Sequence, residues 1–368
     1  MAVINPFRLI PFIVIGMTFY ICYKIWKGLG VKSALVWLLT SASIVTWWIF
    51  FRRSFLVSNP TLSAFGYIFF TFSSITFALF LAADIIGIAL WLLRKTKINV
   101  KRQVLFVLSL ASALLVYAYF EGANVRAIET TIATDKLPAG TDAVRIVQIT
   151  DLHIDRFFNP KRLIRAMELT DAAKPDLIVL TGDIVDKDLR GDEYLAGLFR
   201  SVNAPLGKFA VTGNHEFYWG FDQSVDFMRR AGYEVLHSDW RDLGPLVIAG
   251  VDNPGGVMMS KQNDGFTTLS SIPDDLRDKF ILFLKHIPYV HEDNIGLFDL
   301  QLSGHTHGGQ LWPLRYLVNS MHEVKNGLSV YKDSFLYVSN GVGVWGPPMR
   351  FLTPSEVAVI NVVRKQPD

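Results

Sequence analysis

The sequence predicts a helical membrane segment followed by an α/β domain with a sheet core. Apolar runs fill the first 120 residues, whereas the later chain alternates short β-rich runs with amphipathic stretches and turn residues. Charge divides the chain at the same place, because the first 120 residues hold 11 of the 36 basic side chains but only one of the 33 acidic ones. The predicted divisions are a membrane domain over residues 1–120, a connector over 121–143 and the α/β domain over 144–368.

Four apolar runs predict four transmembrane helices, since a helix of about 20 residues crosses the hydrocarbon core of a bilayer. The alternative is that these runs are buried helices of a soluble protein. Their near-complete lack of charge disfavours that alternative. The runs are Leu9–Trp26, Ala34–Phe51, Tyr67–Leu93 and Val104–Tyr119.

Basic residues between the runs predict the orientation of this segment. Three lysines follow the first run and five basic residues follow the third, and both connections lie on the same side of the membrane. The positive-inside rule places that side in the cytoplasm, so both termini and the α/β domain are expected outside it. Asp84 is the one acid inside a predicted span, which makes it either a functional candidate or a side chain facing polar groups between helices.

Strands and helices of the α/β domain follow from residue periodicity. Apolar residues at helical spacing predict helices over Pro160–Ala173 and Asp222–Ala231. A shorter run, Leu300–Ser303, is a weaker strand candidate. Short β-rich runs bounded by turn residues predict strands over Val144–Thr150, Leu177–Thr181, Phe209–Thr212, Leu246–Val251, Phe280–Lys285, Phe335–Ser339 and Val357–Val362.

Five polar clusters stand at the ends of predicted strands, where α/β sheets bind their ligands. The combination of His and Asp suits divalent ions such as Zn, Fe or Mn. Each cluster alone is a weak signal, but the order and placement of all five predict one site. The clusters are Asp151-Leu152-His153, Gly182-Asp183, Gly213-Asn214-His215-Glu216, His286 and Gly304-His305-Thr306-His307.

In this order the clusters resemble the calcineurin-like metallophosphoesterases, over roughly Val144 to Val363. Two further strings, Ser303–Gln310 and Ser339–Gly343, look like a bacterial branch of that family. That branch contains membrane-associated phosphodiesterases and a UDP-diacylglucosamine pyrophosphatase. The resemblance implies a four-layer α/β/β/α sandwich with a binuclear metal site, in a multi-pass protein of the bacterial cytoplasmic (inner) membrane.

The resemblance also implies a role for each matching residue. His215 would be the proton donor to the leaving group, and Asp186 would orient it. The two divalent metals would be Mn, Zn, Fe or Mg. Asp151, His153 and His307 would hold the first metal, Asp183 would bridge both, and Asn214, His286 and His305 would hold the second.

These roles predict hydrolysis of a phosphodiester or pyrophosphate bond by a metal-activated water. An anchor would hold the site near the bilayer, so a phosphorylated, lipid-linked or cell-envelope substrate is expected. Phe217 and Trp219 are candidates for an apolar rim, and His322 for a substrate contact.

Two other functions fit the sequence less well. The same fold could act on a soluble nucleotide or phosphomonoester. A membrane transporter or sensor with a regulatory metal domain would rest on Asp84 alone. Nucleic acid is not expected as a partner, because the residues after 120 carry an acidic excess.

Overall fold

The computed structural model describes residues 10–56, 60–95, 99–155, 158–253, 265–311, 315–316, 318, 325–346 and 348–365. The chain forms two compact units. One consists of Met1–Phe120 with Gly346–Pro348, and the other of Glu121–Trp345 with Met349–Asp368.

The first unit is helical. Its helices are α1 (Ile10–Gly28), α2 (Ser33–Leu56), α3 (Pro60–Arg94) and α4 (Val100–Ala123). A helix therefore occupies each of the four apolar runs, although Leu9 lies outside the described residues. Among the described residues, two helical stretches are long and apolar enough to cross a membrane by length and composition, Phe65–Arg94 and Val100–Ala123.

Asp84 belongs to a polar network that joins three of these helices. Lys24 on α1 donates hydrogen bonds to Asp84 Oδ1 and, at 2.9 Å, to Gln103 Oε1 on α4. Gln103 Nε2 donates to Asp84 Oδ1 at 2.8 Å, and the Tyr20 hydroxyl donates to Asp84 Oδ2 at 2.5 Å. Asp84 thus faces polar groups between helices, where a charged partner offsets the cost of removing it from water.

The second unit contains two six-stranded mixed sheets. In the first sheet the strand order is β1-β12-β2-β3-β4-β5, and in the second it is β10-β11-β9-β8-β7-β6. The strands are β1 (Val125–Thr134), β2 (Ala143–Ile149), β3 (Leu177–Thr181), β4 (Lys208–Val211), β5 (Glu234–Val235), β6 (Asp239–Asp242), β7 (Leu246–Gly250), β8 (Phe280–Leu284), β9 (Leu300–Ser303), β10 (Gly327–Tyr331), β11 (Ser334–Val338) and β12 (Ser355–Arg364).

The two sheets pack face to face over an apolar core. Side chains such as Ile146 and Val179 of the first sheet meet Ile248 and Leu282 of the second. The outer face of the first sheet packs against helices, and that of the second packs against a shorter helix and turns. The helices of this unit are α5 (Pro160–Ala172), α6 (Glu193–Arg200), α7 (Asn214–Trp219), α8 (Phe221–Arg230) and α9 (Phe266–Ser270). The predicted α/β sandwich is therefore confirmed.

The strands and helices predicted from periodicity are present within one or two residues of their expected bounds. The sequence predicts a connector over residues 121–143, but this segment contains β1, which pairs in parallel with β12. In β1 few side chains are fully buried, since it lies at the edge of the sheet. An edge strand buries fewer side chains than a central strand, so the sequence of β1 lacks the apolar pattern of a core strand.

Parallel pairing brings the polar clusters together. Strands β2, β3 and β4 are parallel neighbours in the first sheet. Strands β7, β8 and β9 are parallel neighbours in the second. The carboxyl ends of each set lie along one edge of its sheet, which is where ligands bind in α/β folds.

Glu216, at the start of α7, fixes the loops at this edge of the first sheet. Its side chain is fully buried. One carboxylate oxygen accepts from the main-chain N–H groups of Ile184 and Val185 at 2.7 and 3.0 Å. The other accepts from those of Asp183 and Gly213 at 3.0 and 2.7 Å. One buried anion therefore satisfies four loop donors that no strand or helix pairs.

Glu216→Gln is expected to lower the free energy of unfolding by about 2–4 kcal/mol. The substitution replaces one accepting carboxylate oxygen with an NH₂ group, which then faces main-chain N–H groups that have lost their acceptor. The change is measured as a lower unfolding midpoint of the full chain in detergent. Glu168→Gln is the matched control. Glu168 is exposed and pairs with Arg165 on the surface of α5, so its loss should change stability by less than about 0.5 kcal/mol. Equal midpoints for the two variants would contradict the role of Glu216.

Candidate metal centre

All seven side chains predicted as metal ligands lie shortly after the end of a strand, and one of them, Asn214, is the first residue of α7. Asp151 and His153 follow β2, Asp183 follows β3 and Asn214 follows β4 in the first sheet. His286 follows β8, and His305 and His307 follow β9 in the second sheet. Two clusters among these residues have ligand atoms within 4.8 Å of one another.

The first cluster contains Asp151, His153 and His307. The Nε2 atoms of the two imidazoles are 3.0 Å apart, and His307 Nε2 is 3.3 Å from Asp151 Oδ1. Burial, helped by the positive charges of His153 and Arg350, holds the pKa of His307 well below its ordinary value. His307 is therefore neutral, which is the form that binds a metal.

The second cluster contains Asp183, His286 and His305. His286 Nε2 lies 3.1 Å from Asp183 Oδ2 and 3.3 Å from His305 Nδ1. The other ring nitrogen of His286 donates to the main-chain oxygen of Thr181 at 2.8 Å. A backbone acceptor on Nδ1 directs Nε2 into the cluster, as outer hydrogen bonds orient ligating histidines in protein metal sites.

Asp183 belongs to the second cluster and also lies near the first. Its Oδ2 is 3.1 Å from His286 Nε2 in one cluster and 4.0 Å from His153 Nε2 in the other. Burial opposes ionisation, but the surrounding imidazoles, above all His286, outweigh it and hold the pKa of Asp183 well below its ordinary value. The geometry agrees with a bridging role, which stays a prediction.

The described residues also fit a pair of divalent cations on two independent observations. Asn214 Oδ1 is buried and has no hydrogen-bond partner in the described part of the chain. A buried, unpaired carbonyl oxygen is costly unless a cation or donor meets it. In addition, a Cβ on Gly213 would collide with the Asp183 carboxyl, and one on Gly304 with the Asp151 carboxyl. Glycine at these positions lets the loops close around the carboxylates.

Asp186 connects His215 to the first cluster. Its Oδ1 lies 2.9 Å from His215 Nδ1, and its Oδ2 lies 3.0 Å from His153 Nδ1. Burial raises the pKa of Asp186, but these hydrogen bonds outweigh that effect and hold it below its ordinary value. Asp186 is therefore ionised and orients two imidazoles, whereas the sequence suggested only His215.

His215 is more exposed than the buried ligands. Its side chain is 14% exposed, and its Nε2 lies 4.0 Å from Asp183 Oδ2. With Nδ1 directed at Asp186, Nε2 is the ring atom that can meet a substrate. The geometry agrees with the expected proton donor, and that role too stays a prediction.

Backbone strain concentrates in these loops. Five of the seven predicted ligands have positive φ: Asp151, His153, Asp183, His305 and His307, with values between 49° and 69°. Such conformations are uncommon for residues with a side chain, and they persist where the surroundings impose them. These residues therefore adopt an unfavourable backbone conformation, and in that conformation their side chains point into the site.

The predicted substrate contacts differ in placement. Phe217 is half-buried and packs on Phe221, with ring centroids 4.7 Å apart, which is a packing contact. Trp219 is 52% exposed, and the neighbouring Tyr218 is 64% exposed. Tyr218 lies beside His215 with ring centroids 5.4 Å apart. His322 lies outside the described residues.

Sequence reasoning missed three residues that support the site. Glu216 was in a recognised cluster but received no role. Thr150 donates to Asp151 Oδ2 at 2.8 Å, directly behind the ligand. Arg350 is fully buried beside His307, and no motif marked it. A lone arginine in a short segment of glycine, proline and apolar residues is the sequence signal that could have identified it.

Residues 144–309 match the family model described as calcineurin-like phosphoesterase. A metallophosphoesterase of Aquifex aeolicus is 37% identical over 261 residues, covering 70% of this chain and 98% of the relative. One of Campylobacter jejuni is 32% identical over 305 residues, covering 79% and 80%. A Danio rerio protein named a transmembrane protein with metallophosphoesterase domain is 27% identical over 283 residues, covering 72% and 63%. This chain therefore belongs to the calcineurin-like metallophosphoesterases, metal-dependent phosphoester hydrolases with a dinuclear centre of divalent metals.

Proposed function

We propose that this enzyme is anchored in a membrane and hydrolyses a phosphodiester or pyrophosphate bond of a lipid or cell-envelope molecule. The observation that supports this proposal is the pair of ligand clusters, the second of which places Asp183 near the first, with His215 held beside them by Asp186. The choice of substrate is supported by the apolar helices of the first unit and by the exposed ring of Tyr218 next to His215.

The metals, when bound, neutralise the phosphate charge and supply a nucleophile at neutral pH. The chain's own residues supply the rest. Asp183 sets the spacing between the two clusters. His215 donates a proton from Nε2 to the leaving oxygen, while the ionised Asp186 accepts from Nδ1 and stabilises the protonated ring.

Tyr218 extends the site beside His215, where the leaving group would depart, and the exposed Trp219 follows it in α7. Trp219 lines a surface recess of about 440 Å³ together with Asp188 and Arg190. An aromatic wall beside a charged pair suits an amphipathic leaving group with an apolar chain. The resemblance to the branch with a UDP-diacylglucosamine pyrophosphatase supports the same substrate class.

His215→Ala is expected to retain both metals but to lower kcat about 10²–10⁴-fold on a dialkyl phosphodiester, whose alkoxide needs a proton to leave. On a bis(p-nitrophenyl) ester the loss should be much smaller, because nitrophenolate leaves without one. The control is His291→Ala, since His291 is not one of the predicted ligands and lies before a short 3-10 turn, with its Nδ1 3.3 Å from Asp293 Oδ2. An equal loss on both esters would contradict the proton-donor role.

Substrate class is tested with the full chain in mixed micelles. A diacylated or prenylated diphosphate is expected to be hydrolysed with a higher kcat/KM than a nucleotide or a phosphomonoester. Trp219→Ala should raise KM for the lipid substrate about tenfold and leave KM for bis(p-nitrophenyl) phosphate unchanged, as expected for loss of one apolar contact of roughly 1–3 kcal/mol. Preference for the nucleotide would replace the lipid proposal with the soluble-substrate alternative.

The proposed topology has four spans, cytoplasmic basic loops and an extracytoplasmic catalytic domain in a bacterial inner membrane. The chain has one cysteine, Cys22. In a Cys22→Ser background, Ser201→Cys on the exposed end of α6 should react with a membrane-impermeant maleimide in spheroplasts. Lys95→Cys, beside a cytoplasmic loop, should react only after lysis. The reverse pattern would contradict this orientation.

A further inference from the structure

Arg350 is a buried cation whose surroundings differ from those of an ordinary ion pair. Its side chain is fully buried. Within the described residues its hydrogen bonds run to main-chain carbonyls and, at 3.4 Å, from Nη2 to His307 Nδ1, and none of them reaches a carboxylate. Removing such a charge from water is unfavourable. The hydrogen bonds of its five N–H donors have to offset this desolvation.

The carbonyls belong to two loops. Nη1 donates to the main-chain oxygen of His307 at 3.2 Å, in the loop after β9. Nη2 donates to the oxygens of Asn340 and Gly343 at 2.6 Å, and Nε donates to Gly343 at 3.1 Å, all in the loop after β11. One guanidinium therefore joins the loop that carries His307 to the loop beside it.

The loop after β11 in turn holds the loop of Asp151. The N–H of Gly343 donates to the main-chain oxygen of Asp151 at 2.8 Å, and that of Val342 donates to Thr150 at 3.0 Å. A continuous set of hydrogen bonds therefore runs from Arg350 to both Asp151 and His307. These are two of the three members of the first cluster.

We infer that Arg350 is a positioning residue that sets the affinity of the first metal position, formed by Asp151, His153 and His307. The inference rests on the metal assignment of those three residues but not on the identity of the substrate. Arg350 fixes the distance between a carboxylate from the first sheet and an imidazole from the second. The second position, around His286, receives no hydrogen bond from Arg350.

A role of Arg350 through charge alone predicts the opposite effect on metal binding. Its Nη2 lies 3.4 Å from His307 Nδ1, so its positive charge repels a cation held by that ring. If charge dominated, removal of the guanidinium would tighten metal binding. If positioning dominates, removal weakens it. The sign of the change therefore separates the two roles.

The test uses the full chain in detergent, loaded with Mn²⁺, with binding followed by calorimetry and by electron paramagnetic resonance. The wild type should bind two ions and show the spectrum of a coupled pair. Arg350→Met should weaken one of the two sites by about 10–100-fold, the loss typical when support behind a ligand is removed. Its spectrum should become that of an isolated ion.

Two variants assign the lost site. His286→Ala removes a ligand of the second position and should leave one binding event. Adding Arg350→Met to it should abolish the remaining binding in the micromolar range.

Arg350→Lys should recover part of the affinity, because an ammonium reaches some of the same carbonyls. If Arg350→Met does not fold, the Mn²⁺ affinity of Arg350→Lys tests the inference instead. An affinity equal to that of the wild type would overturn the inference.

Arg364→Met is the control for a merely structural effect. Arg364 also donates to a main-chain carbonyl, that of Leu137 at 2.6 Å, but it lies at the other end of β12. It should lose stability and keep both metals at wild-type affinity. Unchanged or tighter Mn²⁺ binding in Arg350→Met would overturn the inference. A wild type that binds two metals but hydrolyses no lipid substrate would refute only the proposed substrate.

Discussion

The hydrogen bonds that Glu216 accepts in the interior are the interaction on which the rest of the metal centre depends. Its carboxylate satisfies four main-chain donors around Asp183 and Gly213. Burial raises its pKa, yet the donors favour the ionised form. Without this anion, four main-chain N–H groups beside Asp183 and Asn214 would be buried without an acceptor.

Arg350 performs the complementary task on the other side of the centre. Glu216 is an anion that accepts hydrogen bonds from main-chain N–H groups, and Arg350 is a cation that donates hydrogen bonds to main-chain carbonyls. Both bind loops that neither strands nor helices can pair. Several ligands in these loops have left-handed backbone conformations, and two buried charges of opposite sign hold them there.

Much of the fold and of the ligand set could be predicted from sequence, because both depend on local patterns. Core strands such as β3 are short apolar runs, and a glycine with an acid or histidine follows them. The supporting residues depend on contacts between distant segments. Arg350 lies 43 residues from His307, and Asp186 lies 33 residues from His153. Edge strand β1 was mistaken for a connector, because polar residues replace the apolar pattern there.

Two metals are predicted to share Asp183 as a ligand between the two clusters. The most direct test is a crystal structure of the Mn²⁺-loaded protein with anomalous diffraction recorded at the Mn edge. Two peaks are predicted about 3.5–4 Å apart, one among Asp151, His153 and His307 and one among Asn214, His286 and His305. A single peak, or two peaks without Asp183 between them, would contradict the account.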